Sequence, residues 1–219
     1  MPLPALTGCQ GGEVRKGGGR ETGVGRQALY RQMETGAFAA PAEAPEKILK
    51  TMIKKKIEDA LNEQINAEMW SAYLYLSMSL HFEHEGRPGI ANWFRVQFQE
   101  EQAHALALMD YLNARDARVV LQPVAGVPTE WESPKAAFED TLAHEKKVTA
   151  LINNLYAMAE AEKDFATRQK LNTFVAEQVE EEDNVRQIID DLNLVGTDGT
   201  GLYQIDRQLA GRTYVAPVL

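Results

Sequence analysis

Apolar residues recur every three or four positions along four stretches between residues 54 and 195, and each stretch carries a glutamate on its apolar stripe. This spacing is typical of a helix that turns one face toward the core of a bundle. The four glutamates are Glu68, Glu101, Glu145 and Glu181. An unpaired buried carboxylate costs several kcal/mol, against a total stability of about 5–15 kcal/mol. The pattern therefore predicts either protonated glutamates or cations bound between them.

The same periodicity predicts four long helices and a short fifth one. They run from about 54 to 85, 88 to 116, 134 to 163, 164 to 195 and 201 to 209. Gly86 and Pro88 mark the first break, and Gly196 marks the end of the fourth helix. Residues 117–132 form a connection long enough to run the length of a bundle. We therefore predict an all-α fold: a four-helix bundle with a long crossover between its second and third helices, which is the ferritin-like class, followed by a short C-terminal helix.

Composition divides the chain into an arm, a body and a tail. Residues 1–50 hold nine of the sixteen glycines and no helical stripe longer than one turn. Residues 1–51 are therefore predicted as a disordered N-terminal extension or a non-native leader. Residues 52–210 are predicted as the helical domain, and residues 211–219 as a C-terminal tail.

Charge and cysteine usage narrow the range of partners. Residues 51–219 carry sixteen Lys and Arg against twenty-seven Asp and Glu, which argues against nucleic acid and favours cations. No apolar run approaches the roughly 18 residues of a membrane span, so no membrane partner is expected. The single cysteine, Cys9, leaves no intrachain disulfide and no cysteine-rich metal site. It suits a reducing cytoplasm, where we expect the protein to work.

Candidate chemistry begins with Glu101 and His104, which form a Glu-x-x-His pair on one helix face and can reach the same ion. The pair alone is a weak signal, because surface pairs share this spacing. The stripe glutamates of the other three helices can converge on the same point. Carboxylates with few histidines favour hard or redox-active cations over structural zinc. The pattern thus indicates a metal site in the core, with Glu101 bridging two divalent ions.

Five segments of the chain resemble the bacterial non-haem ferritins: LNEQINAE at 61–68, FQEEQAH at 98–104, HE at 144–145, AEQVEEE at 176–182 and GLYQIDRQL at 201–209. The resemblance covers residues 52–210 and agrees in spacing, residue type and helix order. It implies an iron-storage protein whose twenty-four identical subunits form a hollow shell. It also implies ferroxidase activity, in which oxygen or peroxide oxidises ferrous iron at a di-iron site in each bundle.

The resemblance assigns the iron ligands residue by residue. It implies that Glu68, Glu101 and His104 hold the first iron. Glu101, Glu145 and Glu181 would hold the second, so that Glu101 bridges the two ions.

Further residues of the site are also implied by the resemblance. Gln178 would lie beside the second iron, and Tyr75 would stand next to the di-iron centre and supply an electron or a hydrogen bond. A third iron site on the inner surface would use Glu100, Glu177 and Glu180, with Glu181 close by. The alternative for these last glutamates is a solvated acidic face.

Haem is not expected, because Gln102 stands where bacterioferritin has its haem-ligating methionine. Two other functions remain open. One is a di-iron oxidase or peroxidase of the same architecture that works as a small oligomer. The other is a structural bundle whose glutamates are protonated or paired with Lys or Arg, although no stripe position carries a basic residue.

Overall fold

A computed structural model describes residues 53–217, which form five α-helices and no strand. The helices are α1 (Lys55–His84), α2 (Pro88–Ala114), α3 (Pro134–Ala161), α4 (Phe165–Val195) and α5 (Gly199–Leu209). The predicted all-α fold is confirmed, and every helix end lies within two residues of its predicted position. The predicted N-terminal extension, residues 1–51, lies outside the described residues. None of the helices within 53–217 has the length and apolar character needed to cross a bilayer.

Three helices begin at a side-chain cap. Ser133, Asp164 and Asp198 each accept a hydrogen bond from the backbone N–H three residues further on, at the starts of α3, α4 and α5. Asp198 explains why α5 begins at Gly199, two residues earlier than predicted. Its carboxylate supports a first turn whose glycines and threonine otherwise favour a loop.

The long link between α2 and α3, residues 115–133, contains neither helix nor strand. Near its start, Asn62 on α1 donates a hydrogen bond from Nδ2 to the carbonyl oxygen of Arg118 at 3.0 Å. Near its end, Ser77 on α1 donates to the carbonyl oxygen of Pro128 at 2.7 Å. Asn62 and Ser77 are separated by about 22 Å along the helix, at roughly 1.5 Å per residue. The link therefore runs along α1, as predicted for a crossover.

The buried face of α3 differs in part from the stripe that the spacing of apolar residues predicts there, which is Phe138, Leu142, Glu145, Thr149, Ile152 and Tyr156. Leu142, Thr149 and Tyr156 are only half-buried. The fully buried positions are the residues just before them, Thr141, Val148 and Leu155. The physical reason is that the apolar face of a helix spans an arc of about 100° or more, so adjacent positions compete for the core and packing decides between them. Glu145 lies on the buried face in both descriptions.

Two apolar clusters fill the bundle, and the stripe glutamates lie between them. On α1, for example, Ile65 belongs to one cluster and Leu74 to the other, with Glu68 in the interval. On α2, α3 and α4 a stripe glutamate also lies between residues of the two clusters; these glutamates are Glu101, Glu145 and Glu181. The polar layer thus crosses the middle of the core, with apolar packing on both sides that excludes water.

Candidate metal centre

Four helices contribute the predicted ligands to this polar layer. Glu68 comes from α1, Glu101 and His104 from α2, Glu145 from α3 and Glu181 from α4. Their exposed fractions are 1% for Glu68, 2% for Glu101, 3% for His104, 0% for Glu145 and 5% for Glu181. Charged side chains are almost never buried to this extent unless they are paired or bind a metal.

Glu68, Glu101 and His104 form the tightest group in this layer. Each offers one ligand atom, and these atoms all lie within 4.8 Å of one another. His104 Nδ1 lies 3.4 Å from Glu101 Oε2, one turn apart on α2. The ring of Phe174 meets the His104 imidazole edge to face at 5.7 Å between centroids, which fixes its orientation. Within residues 53–217 no other three His, Cys, Asp or Glu side chains form such a group.

The hydrogen bonds of this group leave room for a cation. Gln64 Nε2 donates to Glu68 Oε1 at 2.8 Å, one turn earlier on α1. Glu68 Oε2 and Glu101 Oε2 are buried and have no hydrogen-bond partner. Buried polar atoms are almost always satisfied, so two unpartnered carboxylate oxygens beside an imidazole call for a ligand. Carboxylates and one histidine suit a divalent ion such as ferrous iron.

Glu145 and Glu181 are held by neutral donors. Tyr75 donates its phenolic O–H to Glu145 Oε1, and Gln178 Nε2 donates to Glu145 Oε2 at 3.1 Å. Gln97 Nε2 donates to Glu181 Oε2 at 2.9 Å. Among the described residues, none of the stripe carboxylates forms an ion pair with Lys or Arg. A structural bundle with glutamates neutralised by basic residues is therefore not what this part of the chain forms.

Three carboxyl groups of the layer, those of Glu68, Glu101 and Glu145, have raised pKa values and so resist ionisation. Burial raises the pKa of Glu68 well above its ordinary value, and the charge of Glu101 adds to the rise. Burial likewise raises the pKa of Glu101, with Glu145 adding next, and that of Glu145, with Glu181 adding next. Burial and then Glu145 raise the pKa of the Tyr75 phenol, which stays protonated as a donor. Such a cluster is stabilised either by protons or by cations.

The residues predicted for a third site lie nearer the surface. Glu177 is half-buried and Glu180 is exposed. Glu100 is partly buried and forms an ion pair with Arg212 at 2.6 Å. Burial raises the pKa of Glu100 to about 7, while Arg212 opposes the rise. Within the described residues these glutamates do not form a compact three-ligand group, so the third site stays a prediction.

Sequence reasoning missed Gln64, Gln97 and Arg212. The two glutamines could have been found, because each stands four residues before a stripe glutamate on the same helix, at Glu68 and Glu101. Gln97 nevertheless donates to a different helix, which spacing along α2 does not reveal. No local pattern points to Arg212, since it follows α5 and its partner Glu100 lies on α2, 112 residues earlier in the chain.

Comparison with known proteins places this architecture in a family. The family model described as "Ferritin-like domain" matches residues 58–195. The chain is similar to the bacterial non-heme ferritin of Bacteroides fragilis (strain 638R), with 45% identity over 161 residues that cover 74% of this chain and all of the relative. It is 38% identical over 163 residues to the bacterial non-heme ferritin of Staphylococcus saprophyticus, covering 74% of this chain and 98% of that one.

Solved structures agree with the sequence relatives. An engineered closed form of the Archaeoglobus fulgidus ferritin matches with a TM-score of 0.73 and 48% identity, over 74% of this chain and 99% of that chain. A humanized archaeal ferritin matches with a TM-score of 0.74 and 47% identity over the same shares. The five-helix order, the buried carboxylate layer and these matches lead to one conclusion: the chain belongs to the ferritin-like domain family, as its resemblance to the bacterial non-haem ferritins predicted.

Proposed function

We propose that this protein is an iron-storage ferroxidase, which oxidises ferrous iron inside each bundle and keeps the ferric product in a hollow shell of twenty-four copies. The observation that carries the proposal is the buried group of Glu68, Glu101 and His104, with two carboxylate oxygens that lack a partner. The names of the bacterial relatives and the ferritin fold support iron as the substrate.

In this proposal the substrate ions share the polar layer. Glu68, Glu101 and His104 bind the first ferrous ion, and Glu101, Glu145 and Glu181 bind the second. Glu101 bridges the two ions in this scheme, since it is the one ligand that both sets share. Two neighbouring ferrous ions together give up two electrons, which dioxygen or peroxide accepts. The carboxylate oxygens favour the ferric product, since hard donors prefer the higher charge.

Tyr75 and Gln178 act through Glu145 in this scheme. Both donate to its carboxylate, one to each oxygen, so that Glu145 is presented to the second ion in a fixed orientation. Gln97 does the same for Glu181. A site that is ordered before the ions arrive loses less entropy when they bind.

Glu100, Glu177 and Glu180 are proposed to hold a third ion on the way to the mineral. The acidic balance of residues 51–219 supports the attraction of ferrous ions to this surface. Haem is not part of the proposal. We also propose that the protein works in the cytoplasm, a location consistent with its single cysteine.

The proposal is tested by replacing Glu101 and His104 together with alanine. We expect the rapid appearance of ferric absorbance after mixing with ferrous iron in air to be lost, and anaerobic calorimetry to show fewer bound ferrous ions per chain. Replacing Glu83 and His84 with alanine is the matched control, because this Glu and His are exposed at the end of α1. Fast oxidation in the double variant, at the particle mass of the wild type, would rule out this site.

A small-oligomer oxidase or peroxidase of the same fold is the alternative. Particle mass separates the two, because a shell of twenty-four copies weighs roughly half a megadalton. The short α5 favours the shell, since in the family this helix lines an axis between subunits. A particle of only two chains that still oxidises ferrous iron would favour the alternative.

A further inference from the structure

The chain after α5 folds back onto α2, where Arg212 forms an ion pair with Glu100. Arg212 Nη2 donates to Glu100 Oε2 at 2.6 Å, a short, charge-assisted contact. The Arg212 and Glu100 side chains are 21% and 17% exposed, so the pair is largely shielded from solvent. Glu100 directly precedes Glu101, which places this pair at the edge of the metal centre.

The position of Arg212 is fixed on several sides. Its guanidinium carbon lies 4.7 Å from the centre of the Trp93 ring, in a cation–π arrangement. Its Nη1 donates to the carbonyl oxygen of Trp93 at 3.5 Å. Asn92 Nδ2 donates to the carbonyl oxygens of Arg212 at 2.9 Å and of Leu209 at 3.3 Å. The guanidinium is therefore held against α2 by backbone and side-chain contacts that are independent of Glu100.

A guanidinium and a metal ion compete for the same carboxylate oxygen, because both are held by its negative charge. Arginine stays protonated and has five N–H donors but no acceptor, so it cannot become a ligand. A divalent ion that approaches Glu100 is repelled by the positive charge of Arg212, and it binds Oε2 more tightly once the guanidinium has moved away. The same ion pair also neutralises Glu100 while no ion is present.

We propose that Arg212 is a built-in competitor for the third iron ion: it holds Glu100 in the empty state and leaves Glu100 when a divalent ion binds there. Arg212 thereby lowers the affinity of this position relative to the two ions inside the bundle, which favours release of iron toward the mineral. The inference rests on the proposed third iron site. Through Arg212, the tail after α5, residues 210–217, regulates that site.

The experiment is a titration of the assembled, metal-free protein with Zn²⁺, a redox-inert probe, followed by calorimetry. In Arg212→Gln we expect the third ion to bind about tenfold more tightly, which corresponds to about 1.4 kcal/mol, with the first two ions unchanged. Arg212→Lys keeps the positive charge and should bind like the wild type. Arg207→Gln is the matched control, since it removes an exposed arginine from α5.

Glu100→Gln separates two claims: that a third ion binds at Glu100, and that Arg212 competes with it. If Glu100→Gln loses the third ion but Arg212→Gln binds it with wild-type affinity, the third site stands and the role of Arg212 is overturned. If Glu100→Gln binds every ion as the wild type does, the third site fails, and the competition with it.

A crystal structure of the Zn²⁺-loaded wild type provides a second test. We expect a zinc anomalous peak at Glu100, with the guanidinium turned away from Oε2. A zinc ion on Glu100 while Arg212 keeps its 2.6 Å contact would overturn the proposal. A purely structural role for Arg212 would loosen the tail in Arg212→Gln without tightening the binding of the third ion.

Discussion

Tyr75 on α1 donates its phenolic O–H to Glu145 Oε1 on α3, across the middle of the bundle. The phenol is completely buried, and its ring stacks on Phe94 with 6.1 Å between centroids. Gln178 on α4 donates to the other oxygen of Glu145. Three helices therefore meet at one carboxylate, whose orientation is set before any ion binds.

Replacing Tyr75 with phenylalanine should remove this donor while preserving the packing of the ring. A hydrogen bond to a charged group is worth about 1.5–3 kcal/mol, so we expect ferrous oxidation to slow by about tenfold or more. Stopped-flow absorbance of the ferric product measures this rate. Tyr73→Phe is the control, because Tyr73 is 52% exposed on the same helix. Equal rates for Tyr75→Phe and the wild type would show that Gln178 alone orients Glu145.

Gln97→Leu tests the donor to Glu181. Gln97 is completely buried, and its Oε1 has no hydrogen-bond partner. An unpartnered buried amide oxygen lowers the free energy of unfolding of the metal-free protein. We expect the second ferrous ion to bind about tenfold to a hundredfold more weakly, the usual range for residues that orient a ligand. Anaerobic calorimetry with ferrous iron measures this affinity.

The matched control for this substitution is Gln187→Leu. Gln187 also donates to a carboxylate on α4, Asp183 Oδ2 at 2.7 Å, but both residues are exposed. Its removal should leave ferrous binding unchanged. If Gln97→Leu also binds both ions with wild-type affinity, contacts other than Gln97 must position Glu181.

The docking of α5 depends on Gly89. Asp206 Oδ1 accepts hydrogen bonds from the backbone N–H of Gly89 and of Ile90, both at 2.9 Å, at the start of α2. A Cβ atom on Gly89 would lie 1.6 Å from the carbonyl oxygen of Asp206, which no small adjustment relieves. Gly89→Ala should therefore displace α5, which exposes Arg212 and loosens the helical backbone at Arg207, so that trypsin cleaves at both residues more readily.

Limited proteolysis followed by mass spectrometry measures this release. Cleavage at the C-terminal arginines should be at least several-fold faster in Gly89→Ala than in the wild type. Gly126→Ala is the control, because an added Cβ there would meet nothing within 4 Å. An unchanged cleavage rate in Gly89→Ala would mean that α2 and α5 can shift apart without loosening the tail.

Asp164 makes the stability of the C-terminal half of the bundle sensitive to acid. Arg115 donates to both of its carboxylate oxygens, at 3.0 and 3.1 Å, and Thr167 N–H donates to Oδ1. Burial alone would raise the pKa of Asp164, but the hydrogen bonds from Arg115 and Thr167 outweigh it and lower the pKa. The ionised Asp164 therefore stabilises the folded state. This stabilisation is complete above the unfolded-state pKa of about 3.9 and is lost as the pH falls through the lower folded-state pKa.

Asp164→Asn should keep the helix cap, because asparagine caps as well as aspartate, but it should lose the ion pair. We expect a loss of about 1 kcal/mol at pH 7, limited by partial exposure, and a difference from the wild type that shrinks between pH 5 and pH 3. Thermal unfolding of both proteins, followed by circular dichroism at each pH, measures this difference in stability. Glu160→Gln, which alters an exposed pair with Arg168, should have little effect. A difference that stays constant down to pH 3 would contradict the role of the Asp164 charge.

Local patterns were enough to predict the helices and the glutamates that they bury. The positions of Glu68, Glu101 and Glu145 on their apolar stripes follow from a spacing of three or four residues, and their burial was therefore predictable. The caps at Ser133 and Asp164 are likewise local, because the donor is only three residues away. The assignment of individual ligand roles came from resemblance to the non-haem ferritins.

The sequence by itself determined the helices, the buried faces in outline and the set of carboxylates on them. Only the tertiary structure decided which side chains hold those carboxylates. Tyr75 and Glu145 are 70 residues apart, Gln97 and Glu181 are 84 apart, and Glu100 and Arg212 are 112 apart. The physical reason is that helical periodicity is a property of neighbouring residues, whereas a hydrogen bond between helices depends on how far each helix is rotated and shifted when the core packs.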